Sequence, residues 1–216
     1  MTSLPSAPTA PARPKVRMPR AERHLQLLDV GRGVFAARGF ELGSIEEVAH
    51  TAGVSKPVVY EHFATKDRLV AEVVDRELLG LLASITDALV GETPRELLAG
   101  AVSGFLSYID DNEDGFRVLL HQSPDPEHRG RFSNVLGEIA TRVEDGFALA
   151  FSAHGEDPRL APISAQMLVG MVAFAGQFWI DARLPDRDAV AAHIVRMAWA
   201  GLSDMVDVIP PARTAG

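Results

Sequence analysis

Residues 44–69, SIEEVAHTAGVSKPVVYEHFATKDRL, read as two short amphipathic helices joined by a glycine turn and followed by a third, capped helix. That order is the layout of a DNA-binding helix-turn-helix. Ser44 stands before Ile45, Val48, Ala49 and Ala52, an apolar stripe at i, i+3, i+4 and i+7. It is the expected N-cap, and Glu47 three residues later completes a capping box in which each side chain satisfies an orphan backbone N–H. Gly53 supplies the positive φ of a tight reversal, and the small Ala49 lets the next helix cross closely. Ser55 is the expected cap of that second helix, with Val54 and Val59 placed as a hydrophobic staple. Pro57 falls in its first turn, where a missing N–H costs nothing. Val59 faces back toward Ala49, which leaves Lys56, Val58, Tyr60 and His62 more exposed and able to touch DNA.

Working outward, the first helix is expected from about Arg20 to Arg38, with Leu27, Leu28, Gly31, Val34 and Phe35 as its inward stripe and Gly39 as its C-cap. A long helix starts after Thr65 and passes through Leu69, Val73 and Leu78 to about Leu89. Helical patterning continues over about 94–111, 115–122, 127–154, 159–183 and 187–208. Prolines at 94, 124, 126, 158, 162, 185 and 210 punctuate these segments, and no run of period two indicates a sheet. The architecture is all-α.

The stretch from about Arg20 to Leu69 resembles the N-terminal domain of the tetracycline-repressor (TetR) family of bacterial transcriptional regulators. The resemblance is carried by Phe35, Gly39, Phe40, Ser44, Ile45, Val48, Ala49, Ala52, Gly53, Val54, Ser55, Tyr60, His62, Phe63, Lys66, Asp67 and Leu69 at fixed spacing. Pro57 stands where the family most often has glycine, and Gly43 where threonine is frequent; both are expected at the DNA-facing edge. The resemblance implies a three-helix DNA-binding domain over 20–66 and a larger helical effector-binding and dimerisation domain over 67–208, between a disordered leader, 1–19, and a short tail, 209–216. It also implies a homodimer through the last two helices, binding double-stranded DNA at a palindrome, and an unidentified small-molecule effector. Lys56, Pro57 and Val58 are expected to approach base edges, and Ser44, Ser55, Tyr60, His62 and Lys66 to contact phosphates.

Charge is placed in keeping with that division. Residues 1–68 carry ten Lys/Arg against seven Asp/Glu, and the remaining residues 11 against 22, so a mildly basic N-terminal part precedes an acidic one. Two of the three lysines, Lys56 and Lys66, fall inside the motif. A basic arm from Arg13, Lys15, Arg17 and Arg20 is the lesser reading of the Ser/Pro/Ala-rich leader. The absence of cysteine excludes disulfides and thiolate metal sites and fits a cytoplasmic protein. No signal-peptide pattern opens the chain, and the apolar stretch Met167 to Gly176 is short for a bilayer, so no membrane is implicated.

Gly170, Ala173, Phe174, Gln177 and Phe178, with Ile194, Ala198, Gly201, Leu202 and Met205, place apolar side chains on more than one face of the last two helices, more than one core stripe needs. Part of that surface is expected to bury against a second subunit; a monomer with a well-filled core is the alternative. For the effector pocket the resemblance implies, the candidates are Phe105, Tyr108, Phe116, Phe147, Phe151, Met171, Phe174, Gln177 and Phe178. His121 and His154 are possible orienting groups. Each of the pocket candidates is individually better explained as ordinary core, and each histidine as an exposed or satisfied side chain. His121, Asp125, Glu127 and His128 hold residue types used in metal and acid–base chemistry, but Pro124 and Pro126 make that segment a loop and the spacing matches no ligand frame. No enzyme, metal site or cofactor is expected. The runner-up is a helical interaction protein with a degenerate helix-turn-helix.

Overall fold

A computed structural model describes residues 18–121 and 131–206, with the side chains of residues 131, 154 and 202–206 outside that description. The described chain is helical throughout, in the order α1 (Arg20–Leu42), α2 (Ile45–Thr51), α3 (Lys56–His62), α4 (Lys66–Asp87), α5 (Pro94–Asp111), α6 (Glu113–Leu120), α7 (Arg131–His154), α8 (Ala161–Ala182) and α9 (Arg187–Val206). A 3₁₀ turn, Pro158–Leu160, leads into α8.

Helix α1 breaks where the sequence predicts, at Gly39 (φ 73°), and then adds a last turn that buries Phe40. Its stripe from Leu27 to Phe35 is buried, as are Ile45, Val48, Ala49 and Ala52 around α2. Gly53 turns the chain at φ 67°. The Ser44 hydroxyl accepts from the Glu47 N–H at 3.1 Å, but the Glu47 carboxylate faces Arg38 Nε at 3.4 Å instead of closing the box. A guanidinium within reach outcompetes a backbone N–H for a carboxylate. The full capping box lies at Thr93 and Glu96, opening α5. Ser55 takes the N-cap position of α3 without a side-chain capping bond.

Gly43 is buried rather than DNA-facing: a Cβ there would stand 2.8 Å from the Phe35 ring, so the residue is small to let the ring pack. Between α4 and α5 a Cβ on Gly104 would overlap the Ser84 carbonyl, and the Ser84 hydroxyl donates to the Gly104 carbonyl at 2.8 Å. The two helices therefore cross in backbone contact.

One apolar cluster runs without interruption from α1–α3 through α4, α5 and α6 to Trp179, Ile180, Ile194 and Val195, and a second joins Ala140, Phe147 and Phe151 of α7 to Ala161 and Ala165. The N-terminal domain thus shares its core with the larger helical domain. Helix α8 packs on α7, α5 and α9. With the turn before it, Pro158–Ala182 is long and apolar enough to cross a membrane by length and composition, contrary to the shorter run read from the sequence. Its packing makes it a bundle helix.

Candidate nucleic-acid interface and effector cavity

Helix α3 buries Val59 completely and leaves Ser55, Lys56, Pro57 and Tyr60 exposed, with Val58 half-buried. Lys56 Nζ is hydrogen-bonded and ion-paired to Glu46 of α2, and lies 5.9 Å from the Tyr60 ring centroid. The shared hydrogen bond raises the Lys56 pKa and lowers that of Glu46. Glu46 was not singled out in the sequence, because no helical periodicity connects residues ten apart across a turn. Lys66 is half-buried, and its Nζ donates to the Glu41 carbonyl at 3.2 Å.

Two further expected phosphate ligands are engaged within the fold. The Ser44 hydroxyl serves as the α2 cap. His62 is half-buried, not exposed: its ring centroid lies 5.8 Å from that of His24 and 6.3 Å from that of Phe63. Burial, reinforced electrostatically by the neighbouring His24 and Arg20, holds its pKa below the usual histidine value. The imidazole therefore packs α3 on α1. The leader through residue 17, with Arg13, Lys15 and Arg17, lies outside the described residues.

In the C-terminal half, α4, α5, α7, α8 and α9 enclose a cavity of about 440 Å³. Its wall is aliphatic and aromatic, including Ile85, Leu97, Val102, Phe105, Val143, Phe147, Leu168, Val172 and Trp199, with Arg142 as its charged member. Of the sequence candidates, Phe105 and Phe147 line it. Phe116 stands behind the wall, edge-on to Phe105 at 5.6 Å and to Phe132 at 5.8 Å. Phe151 packs on Phe147 within the α7–α8 cluster, and Met171 packs on the main core. Tyr108 is core, its hydroxyl donating to Glu77 at 2.9 Å. Gln177 is half-buried and off the wall, and Phe174 and Phe178 are 72% and 74% exposed. These residues belong to other surfaces because aromatic content does not distinguish a cavity wall from a core or an outer face. The aliphatic wall came from five helices and left no local signal.

His121 lies at 3.3 Å from the Ala36 carbonyl, its ring edge on Phe40, so it ties α6 to α1 and is not in the cavity. Asp125, Glu127 and His128, and the His154 side chain, lie outside the described residues. Among the described residues no three His, Asp or Glu side chains group as metal ligands.

Residues 27–73 match the family model "Bacterial regulatory proteins, tetR family", and residues 94–201 match "Tetracyclin repressor-like, C-terminal domain". The chain belongs to the TetR family of transcriptional regulators. It is similar to the HTH-type transcriptional activator FasR of Mycolicibacterium smegmatis, 32% identical over 193 residues that span 87% of this chain and 86% of FasR. Among solved structures, a TetR-like regulator from Rhodococcus sp. RHA1 is 29% identical with a TM-score of 0.70, covering 87% of this chain and 99% of that one. FadR of Bacillus subtilis, solved in complex with stearoyl-CoA, shares the fold at 18% identity and a TM-score of 0.65, over 82% of this chain and 98% of that one. This TetR-family regulator is therefore a DNA-binding transcriptional regulator with a helix-turn-helix at its N-terminus and a helical regulatory domain after it.

Proposed function

We propose that this TetR-family regulator acts in the cytoplasm as a homodimer that grips a palindromic operator with its two α3 helices and lets go when a small, largely apolar effector fills the cavity. Residues 20–66 read DNA, and residues 67–208 hold the effector and the second subunit. The observation that carries this reading is the placement of the cavity on α4. That helix begins at Lys66, beside α3, and reaches the cavity wall at Ile85, about 28 Å away at 1.5 Å per residue. An occupant that displaces the Ile85 end re-tilts the helix and moves the two α3 helices off a spacing of about 34–36 Å. The volume lies in the range of roughly 300–1,000 Å³ that takes drug-sized ligands. The long apolar chain of a ligand such as the stearoyl-CoA of FadR suits a wall of this composition.

For the dimer, Ile163, Met167, Phe174 and Phe178 recur on one face of α8, all exposed, with open space over Gly170. Met197 of α9 is exposed as well, and Leu202 and Met205 have side chains outside the described residues. A stripe of that size supports burial against its own copy. Release of the dimer relieves repression where the operator blocks a promoter and ends activation where it recruits polymerase; FasR is named an activator.

The test is fluorescence anisotropy of a labelled duplex from the region upstream of the protein's own gene, at near-physiological salt, against a scrambled competitor. Sequence-selective binding supports the regulator reading. Weak and equal binding to both duplexes, followed by a genome-wide selection that enriches no motif, would overturn it in favour of a helical interaction protein.

A further inference from the structure

Arg142 of α7 is the charged exception in an otherwise apolar cavity wall, and it is solvent-exposed while lining the cavity, which places the residue at the cavity's rim. It has no hydrogen-bond acceptor and no ion-pair partner among the described residues, although Glu138 lies one turn earlier on the same helix at the i, i+4 spacing that favours pairing. That isolation sets it apart. Arg32 and Arg76 meet Glu77, Arg68 meets Glu72, Arg117 and Arg183 meet Glu113, and Arg38 meets Glu47. The other described arginine without such a partner, Arg95, directly follows the lining residue Pro94. The carboxylates of Glu138, Glu144 and Asp145 share α7 with Arg142 but are not part of the wall.

A guanidinium offers a planar fork of N–H donors that carboxylate and phosphate oxygens match with two bonds at once. A neutral effector would leave this fork unused, and a cationic one would be repelled by it. We propose that the effector is an amphiphilic anion, with an apolar tail filling the cavity and an anionic head, a carboxylate or the phosphates of a carrier thioester, paired with Arg142. This rests on the cavity being the effector site.

The closing experiment titrates the full chain with four probes of equal tail length, each below its micelle concentration: sodium laurate, 1-dodecanol, dodecylamine and lauroyl-CoA. Occupancy is read by tryptophan fluorescence, since Trp199 lines the cavity; Trp179 is buried elsewhere with its Nε1 bonded to the Pro185 carbonyl. Loss of the signal in Trp199→Phe ties it to the cavity. Laurate or lauroyl-CoA is expected to bind about tenfold or more tighter than dodecanol, the size of a charge-assisted hydrogen bond. Whichever of the two is the tighter identifies the head as free carboxylate or carrier phosphate. In Arg142→Gln the advantage of the anion should fall to about one while dodecanol binding is unchanged, and Arg142→Lys should restore part of it.

Dodecanol or dodecylamine binding as tightly as both anions overturns the proposal, as does an anion advantage that survives Arg142→Gln. Equal losses in Arg95→Gln and Arg142→Gln would mean a diffuse field instead of a contact, and also overturn it. In those cases saturable dodecanol binding leaves the cavity reading standing. If none of the four probes changes Trp199 emission, the cavity reading itself fails and takes the proposal with it.

Discussion

Lys56 meets a counter-ion inside the free protein. Its bond to Glu46 holds the ammonium over α2 and Tyr60, so under the proposed role the lysine would exchange a carboxylate for DNA. Both side chains are largely exposed, and such pairs add little to stability. Glu46→Gln should therefore leave the unfolding midpoint unchanged while tightening DNA binding and steepening the dependence of log K on log salt by about one counter-ion. Anisotropy at several salt concentrations checks this; an unchanged slope would place Lys56 away from DNA. His62 carries a pH signature. Its pKa is lowered in the fold from an unfolded value of about 6.5, so the unfolded chain takes up the proton first as pH falls. The stability contributed by neutral His62 is complete above that value and is lost as pH drops toward the folded one. Urea midpoints at pH 7.5 and 5.5 should differ less in His62→Gln than in the wild type.

Among the elements, α4 is held by a carboxylate that helical patterning would place in water. Glu77 is 4% exposed and receives the Tyr108 hydroxyl of α5 at 2.9 Å and Arg76 Nη2 at 3.0 Å, with Arg32 Nη1 of α1 at 3.8 Å. Arg76 also reaches Asp29 of α1 at 3.0 Å. Gly115 of α6 makes the space, since a Cβ there would overlap the Glu77 carboxylate. Burial, then the Glu77 charge, pushes the Tyr108 hydroxyl up, so it stays a donor at every physiological pH. One buried group thus joins α1 to α4, α5 and α6, between the DNA-binding helices and the cavity. Glu77→Ala removes the carboxylate that Arg32 meets, leaves Arg76 with Asp29 alone and takes the acceptor from the Tyr108 hydroxyl. It should cost about 3 kcal/mol, the low end for breaking a buried pair, because both arginines are partly exposed. Tyr108→Phe, which removes one bond to a charged group, should cost about 1–3 kcal/mol. Chemical denaturation of both variants measures the difference. The sequence showed α4 as a long helix through Leu69, Val73 and Leu78, but Glu77 was silent in it, because a glutamate on a helix is ordinarily solvated.

For the whole molecule, the exposed stripe on α8 is the surface on which the proposed dimer rests. Phe178→Glu should leave the monomer folded, since the ring is 74% exposed, while light scattering shows loss of the dimer. Operator affinity should fall by about a hundredfold or more, because a second half-site held in register adds affinity through effective concentration. A dimer that survives the substitution would move the interface off α8.

The helix-turn-helix was readable from residues 44–69 because caps, a glycine turn and a periodic apolar stripe are local: each acts within a few residues of itself in the chain. The same locality made the succession of helices and the family legible. What the tertiary structure alone decided are relations between residues far apart in sequence. Glu46 answers Lys56, Phe35 demands a glycine at 43, His62 is packed away from solvent, and Glu77 finds Tyr108 and two arginines. Aromatic and methionine positions along α5–α8 sort into core, cavity wall and outer face only when the helices are packed, since periodicity reports that a face is apolar but not what covers it.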